Sequence, residues 1–275
     1  MSIHSISHLL AGPLALVALY LGYNTLTVDD YPHSIWLIIP ITGLVLLYLF
    51  KPQLDYWWHT KYPIKFDAKL GEFLASKNPY YASLEGEEKA KFQNRLNLYM
   101  EARDFKAVGS NEQRDIPYDL KAMLSTIPIQ MTMHRKDFLI GDMDRIFLYK
   151  HPFPTPGMQF LHTVETHVED GVFIFSLNEY QAAVHEPEKF YNNIWYGYVD
   201  AYLKVYKDNT SEIEAHATFE NIKKIGKYTQ EYILRILGLK AVDPLVVLCG
   251  LYFTHNTQMK ANSPGTYEVM KRFFS

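Results

Sequence analysis

The chain opens with two uncharged runs, whose apolar pattern predicts helices that cross a membrane. Residues 9–23 and 35–50 contain no Asp, Glu, Lys or Arg and are mostly apolar. Each run is a little shorter than the roughly 20 residues that span a bilayer. Uncharged flanking residues extend the two predicted helices to about 7–28 and 34–50. The pattern therefore predicts a transmembrane helical hairpin, followed by a juxtamembrane linker, within residues 1–60.

Two other structures fit the same apolar runs. A signal peptide would explain the first run, but neither Lys nor Arg precedes it and no small-x-small cleavage site follows it. Two buried helices of a soluble protein are the other alternative. The membrane hairpin is favoured because no Asp, Glu, Lys or Arg precedes Asp29. In addition, Tyr56, Trp57 and Trp58 can lie at the lipid headgroups after the second run.

Basic residues indicate how this predicted hairpin is oriented. The connection 24–34 carries two Asp residues and neither Lys nor Arg, whereas Lys51, Lys61 and Lys65 follow the second run. Cytoplasmic flanks of membrane helices are enriched in Lys and Arg. The sequence therefore predicts a two-pass membrane protein whose ends and globular part lie in the cytoplasm.

Beyond residue 60 the hydrophobic period changes between helical and extended, which predicts one α+β domain over residues 61–275. A helical period covers 89–105, and an extended period marks a strand at 145–149. Two more extended runs flank Glu169-Asp170-Gly171, which is a hairpin signal. These two runs are residues 160–168 and 172–177. Helical periods then resume over residues 188–206, 228–237, 244–253 and 265–274. Strands clustered between helices favour an α+β arrangement over a doubly wound sheet.

The stretch from Asn193 to Leu203 is the helix around which this domain is organised. Ile194, Tyr198, Ala201 and Tyr202 fall at i, i+4, i+7 and i+8, which gives one apolar face. A buried strand and a short connection precede it. In a zinc peptidase, a helix in this place carries His-Glu-x-x-His, in which two imidazoles bind the metal and the Glu activates water. The stretch contains no histidine.

Five short segments, in this order, carry a resemblance to a known family. They are Asp144-Arg145-Ile146-Phe147-Leu148-Tyr149, Phe153-Pro154-Thr155-Pro156, Asp170-Gly171-Val172-Phe173-Ile174-Phe175-Ser176, Glu186-Pro187 and Tyr191-Asn192-Asn193-Ile194. Over about residues 87–274 the chain resembles the Mlc titration factor A family, a group of zinc peptidases also called glucose-regulated metallopeptidases. The resemblance implies a zincin-like metallopeptidase domain, with a small mixed sheet and helices.

The same resemblance implies where the catalytic residues would lie. Members carry an Asn shortly before His-Glu-x-x-His-x-Leu, and Asn193 and Leu203 correspond to that Asn and Leu. Gly197 and Ala201 then occupy the positions of the two ligand histidines. Tyr198 occupies the position of the general-base Glu, and Gly250 that of the third ligand, also a Glu. These residues offer neither imidazole nor carboxylate, so we expect zinc and peptidase activity to be lost. A glycine inside a helix destabilises it by about 1 kcal/mol relative to alanine. The glycine at position 197 therefore indicates a site where the absence of a side chain is favourable.

A second histidine pattern, His162-Thr163-Val164-Glu165-Thr166-His167, nearly matches an inverted His-x-x-Glu-His motif. Its spacing is one residue too long. On the predicted strand, His162 points to one face while Glu165 and His167 point to the other. The segment is therefore interpreted as a strand with exposed polar residues.

Composition narrows the choice of function. A net charge of −3 gives no indication of a nucleic-acid partner. The single cysteine, Cys249, lies in an apolar run and is interpreted as a small buried hydrophobic residue.

Three functions fit these observations. The first is a membrane-anchored pseudo-metallopeptidase that binds a protein or peptide in the former active-site groove. Its edge strand, residues 172–177 or their hairpin partner, would pair with the peptide. The candidate peptide-binding residues are Val172, Phe173, Ile174, Phe175, Ser176, Tyr198 and Tyr202. The second is a zinc-dependent hydrolase with ligands recruited from elsewhere, such as His162, His167 or His216. The third is a structural membrane subunit, in which aromatic residues close the pocket.

Overall fold

The chain divides into two units, Met1–Gly71 and Glu72–Ser275. The division falls inside helix α4 (Ala68–Lys77), whereas the sequence places the boundary after residue 60. The computed structural model describes residues 6–28, 32, 34–109, 115–157 and 160–275. Residues 29–31 and 33 of the predicted connection 24–34 lie outside the described residues.

The first apolar run forms one helix, α1 (Ile6–Thr27), at the place predicted for it. Its 22 residues span about 33 Å at 1.5 Å per residue, so α1 is long and apolar enough to cross a membrane. Only 6% of its apolar stretch is buried. A core helix of a soluble protein would be covered on at least one face, so the exposure of α1 favours a lipid environment or a signal sequence.

The second apolar run forms a 3₁₀ turn (Ser34–Leu37) and helix α2 (Ile38–Leu49). The next helix, α3 (Lys51–Lys61), follows after a bend of 69°. With 12 residues, α2 is too short to span a bilayer alone. The juxtamembrane linker predicted after the second run is therefore mostly helical. Pro52 is compatible with this helix because it lies in the first turn, where a missing N–H costs nothing.

Helix α3 returns to the first turn of α1. The backbone N–H and the hydroxyl of Ser7 donate to the two carboxylate oxygens of Asp55, at 3.1 and 3.0 Å. Asp55 is buried, and a carboxylate is favoured there because the first N–H groups of a helix lack intrahelical acceptors. Since α3 follows α2 directly, α1 and α2 run in opposite directions. In the described residues of the first unit, α3 thus contacts both α1 and α2.

The second unit is built on a four-stranded mixed sheet. Its strands are β1 (Asp104–Val108), β2 (Arg145–Tyr149), β3 (Val164–His167) and β4 (Val172–Ser176), in the order β1-β2-β4-β3. Strands β1, β2 and β4 are parallel, and β3 is antiparallel to β4. With many helices around this small sheet, the predicted α+β class is confirmed.

Strand β4 lies inside the sheet, between β2 and β3. Its residues pair in register with β2 on one side and with β3 on the other. The prediction that residues 172–177 form an edge strand is therefore wrong, because both edges of β4 are already paired and cannot take another strand. Its hairpin partner β3, the other strand considered, lies at an edge of the described sheet.

The hairpin turn forms as predicted, whereas β1 was missed. Gly171 has a φ of 67°, a left-handed conformation that glycine adopts without strain, and its N–H donates to Val168 O. Residues 104 and 105 were predicted as the end of the helix that starts at 89. They belong to β1, whose mostly exposed residues do not alternate between apolar and polar.

Helices surround the sheet and contain most of the core. They are α5 (Pro79–Ser83), α6 (Gly86–Ala102), α7 (Tyr118–Met131), α8 (Leu177–His185), α9 (Asn193–Tyr206), α10 (Ser211–Glu214), α11 (Phe219–Gly226), α12 (Gln230–Leu237), α13 (Pro244–Thr254), α14 (Asn256–Asn262) and α15 (Pro264–Phe273). The predicted helix 188–206 begins only at Asn193, because Asn192 caps it. Helix α9 packs against β3, β4, α7 and α13, so it lies at the centre of this unit.

Candidate functional site

Helix α9 begins where two asparagines fix it to the sheet. Asn192 Oδ1 accepts from the N–H groups of the two residues that follow Asn193, at 3.0 and 3.3 Å. The Asn193 side chain is buried, and its Nδ2 donates to Thr163 O at 2.9 Å and to Ser176 O at 3.0 Å. Thr163 precedes β3 and Ser176 ends β4. One amide therefore holds the start of α9 against both strands of the hairpin.

The helix approaches the sheet so closely at Gly197 that no side chain fits. A Cβ at this position would lie 2.5 Å from Phe175 Cε1 and 2.9 Å from Val164 Cγ2. Carbon atoms in favourable contact lie about 3.5–4.0 Å apart. Glycine is thus required for helix–sheet packing, which explains a residue that is unfavourable in mid-helix. The ring of Phe175 occupies the space that a side chain at position 197 would need.

Tyr198 and Ala201 lie in the same closed interior. Both are fully buried, and the Tyr198 ring contacts Phe173 and Phe175 at centroid distances of 4.6 and 5.4 Å. The Tyr198 hydroxyl lies 3.5 Å from the hydroxyl of Tyr99. Burial raises the pKa of Tyr198 well above its usual value, so the phenol is neutral at physiological pH. It therefore cannot serve as a general base.

Tyr202 is fully buried one turn further along α9. Its hydroxyl accepts from Arg135 at 3.2 Å and lies 3.3 Å from His134 Nε2. Burial raises the pKa of Tyr202 to about 12, although Arg135 opposes this effect. Its ring packs against Tyr206, Phe273 and Phe274. Tyr202 thus joins α9 to the C-terminal helix.

The candidate peptide-binding residues form core rather than surface. Six of them are buried, namely Val172, Phe173, Phe175, Ser176, Tyr198 and Tyr202. The seventh, Ile174, is half-buried. Phe173, Phe175 and Tyr198 contact one another across the β4–α9 interface.

Gly250, on α13, faces the start of α9. A Cβ at this position would lie 3.8 Å from Trp195 Cβ and from the Tyr191 hydroxyl, which is ordinary contact distance. Trp195 stacks on Phe253 at 4.9 Å with an interplanar angle of 13°. A cavity of about 40 Å³ remains here, bounded also by His255.

The histidine pattern at the hairpin is arranged differently from its prediction. His162 is fully buried before β3, where it bridges to Phe153, so it does not follow the alternation of the strand. Its Nε2 is hydrogen-bonded to Glu165 Oε1, and His167 Nε2 lies 2.9 Å from Glu165 Oε2. The prediction that His162 points away from Glu165, and that the segment's polar residues are exposed, is wrong except for the exposed His167.

Glu165 is therefore a carboxylate shared by two imidazoles. Burial raises its pKa, but hydrogen bonds from Thr155, His167 and His162 outweigh this effect, and the net pKa lies below the usual value. The two imidazoles are bonded to different oxygens rather than directed at one point. In the described part of the chain, no group of three His, Cys, Asp or Glu side chains is placed to hold a metal ion.

An open groove of about 870 Å³ lies beside the start of α9. Rings and thioethers form much of its surface, from Tyr80, Met123, Met133, Trp195, Tyr252, Phe253 and Phe274. Five amide side chains also line it, from Asn78, Gln130, Asn192, Asn256 and Gln258. Lys77 is the one charged residue among its described lining residues. The groove combines apolar surface with neutral hydrogen-bonding groups.

Sequence reasoning missed this groove. Its lining residues come from segments as distant as Lys77 and Phe274, and no local spacing relates them. Among the described lining residues, Trp195 is the one that belongs to the stretch 193–203.

No model of a known protein family matches the chain, and no curated protein matches it either.

The variant Gly197→Ala is expected to have a free energy of unfolding about 1–3 kcal/mol lower than that of the matched variant Gly250→Ala. Both positions lie inside helices, where Ala is favoured over Gly by about 1 kcal/mol. The new Cβ has room at position 250 but collides with Phe175 at position 197. Thermal unfolding followed by circular dichroism measures the difference. Equal shifts in Tm would contradict the role of Gly197 in helix–sheet packing.

Proposed function

We propose that this chain is a membrane-anchored, non-catalytic relative of zinc peptidases that binds a peptide segment of another protein. The main support for the proposal is a contrast between two parts of the same helix. The positions of the expected ligands at 197 and 201 are closed by packed side chains, whereas an open groove of about 870 Å³ lies next to the same helix. The zincin-like identity of the domain and the loss of zinc are parts of this proposal.

The chemistry at α9 argues against hydrolysis. Zinc hydrolases need imidazole or carboxylate ligands and a base for the attacking water. Gly197 and Ala201 supply no ligand atom, and the buried Tyr198 is a neutral phenol. The alternative in which histidines from elsewhere bind zinc has little support. His162 and His167 are hydrogen-bonded to Glu165, and His216 Nδ1 is hydrogen-bonded to Thr266 at 3.0 Å.

The lining of the groove favours a peptide ligand. Its volume is within the range of about 300–1,000 Å³ typical of ligand sites. Amides such as Gln130 and Gln258 can donate to and accept from a peptide backbone, while Met123 and Phe253 offer apolar contact to side chains. The scarcity of charge disfavours a nucleic acid or a phosphorylated ligand. The groove replaces strand β4 as the proposed binding surface.

The first unit supports membrane anchoring. Large apolar side chains are exposed along both helices of the hairpin, for example Leu16, Leu19 and Leu46. We propose that α1 and the bent pair α2–α3 together make two passes. The second unit would be cytoplasmic, on the side of Lys61 and Lys65, which lie at and after the end of this second pass.

The zinc content of the purified protein tests the loss of catalysis. Full-length chain prepared in detergent without chelators is expected to hold far less than one zinc per molecule by elemental mass spectrometry. It is also expected to show no chelator-sensitive cleavage of casein. The double variant His162→Ala, His167→Ala is the control. Stoichiometric zinc that this variant loses would establish recruited ligands and reject the proposal.

Cysteine labelling in intact cells tests the two-pass topology. The native Cys249 is fully buried, so the maleimide is not expected to label it. An impermeant maleimide is expected to label Val28→Cys in intact cells, but Glu85→Cys only after permeabilisation, because they lie on opposite sides. Labelling of both in intact cells would contradict a cytoplasmic globular part. Loss of the chain's first segment would indicate a signal peptide instead.

Blocking the groove tests peptide binding. Val184 lines the groove and is 38% exposed, so Val184→Glu places a negative charge in a largely uncharged site without disturbing the core. Full-length chain in nanodiscs is expected to bind members of a nine-residue peptide library, and Val184→Glu to weaken binding about tenfold or more. Leu161→Glu, at a residue that is 57% exposed and outside the groove, is the matched control. Equal binding by the two variants would reject the groove.

A further inference from the structure

A small cavity lies next to the groove. Its volume is about 40 Å³, and it shares Asn192, Trp195 and Thr254 with the groove. One water-sized sphere occupies about 10–15 Å³, so the cavity has room for a small side-chain group. Gly250 forms one wall, and its missing side chain leaves the space open.

One polar group in this cavity lacks a partner. The hydroxyl of Tyr191 is buried, with the residue only 3% exposed, and it has no hydrogen-bond partner among the described residues. Buried polar groups are nearly always paired, so an unpaired hydroxyl inside a cavity indicates a missing partner. Burial raises the pKa of Tyr191 well above its usual value, so the hydroxyl remains a donor.

The neighbouring polar groups are already paired. The Tyr228 hydroxyl donates to Pro187 O at 2.7 Å, and His255 is hydrogen-bonded to Tyr228 and to Thr254. Burial lowers the pKa of His255, so its imidazole is neutral at physiological pH. The cavity therefore contains no formal charge. A charged ligand group would be buried without a counter-charge, which is unfavourable.

We propose that the groove selects peptides in which one Thr or Ser side chain enters this cavity and accepts a hydrogen bond from the Tyr191 hydroxyl. A Thr side chain has three non-hydrogen atoms, which matches the space, and its methyl group would face the open wall at Gly250. The inference rests on the proposed peptide-binding function, because the cavity and the groove share lining residues.

The test is a double-mutant cycle between peptide and protein. Fluorescent nine-residue peptides, with Thr, Val or Ala fixed at each position in turn, are titrated against full-length chain in nanodiscs. Thr and Val differ in the hydroxyl but hardly in shape. At one position, Thr is expected to bind about threefold to tenfold more tightly than Val, as one neutral hydrogen bond predicts. Tyr191→Phe is expected to abolish this preference while keeping the affinity for the Val peptide.

Gly250→Ala provides a second variant that is expected to fold well, since its Cβ meets only ordinary contacts. By narrowing the cavity, it is expected to weaken binding of the Thr peptide relative to the Ala peptide at the same position.

The outcomes separate the two proposals. Absence of any peptide binding rejects the proposed function. Binding without a Thr preference at any position, or a preference that survives in Tyr191→Phe, overturns the cavity assignment and leaves the groove intact. A cavity that holds ordered water only would show as a lower Tm of Tyr191→Phe with an unchanged peptide preference, which also overturns the assignment.

Discussion

The close approach of α9 to the β3–β4 hairpin is the constraint on which the second unit depends. Two residues enforce it. Asn193 ties the start of the helix to the ends of both strands through one buried amide, and Gly197 removes the side chain that would hold the surfaces apart. Because the helix and the sheet pack closely, the ring of Phe175 contacts the rings of both Tyr198 and Phe173. Dispersion between these rings requires contact distances that any side chain at position 197 would prevent.

This constraint separates the interior of the domain from the open groove. The face of α9 that carries positions 197, 198 and 201 is directed into the core, whereas Trp195 and the cap at Asn192 lie at the groove. The same helix therefore stabilises the fold with one part and borders an open site with another. Gly250 belongs to the second region, where a missing side chain leaves space rather than close contact.

The sequence predicts those features that local chemistry determines. Strand 145–149 alternates buried and less buried residues, and the turn at Gly171 needs a left-handed residue, so both were found. Tertiary neighbours decide the rest. Strand 104–108 exists because β2 pairs with it, and nothing in its own pattern reveals this. The pairing of His162 with Glu165 requires a departure from strand geometry, and the groove joins helices that are distant along the chain.

Packing at Gly197 also limits how this sequence can change. A histidine at this position requires Phe175 and Val164 to become smaller first, because even a Cβ collides with both. Shrinking either residue alone would leave a cavity, and such changes in cores cost several kcal/mol. Neither order of single substitutions avoids an unstable intermediate. A histidine at position 197 would therefore require coordinated substitutions, because each single step toward it destabilises the fold.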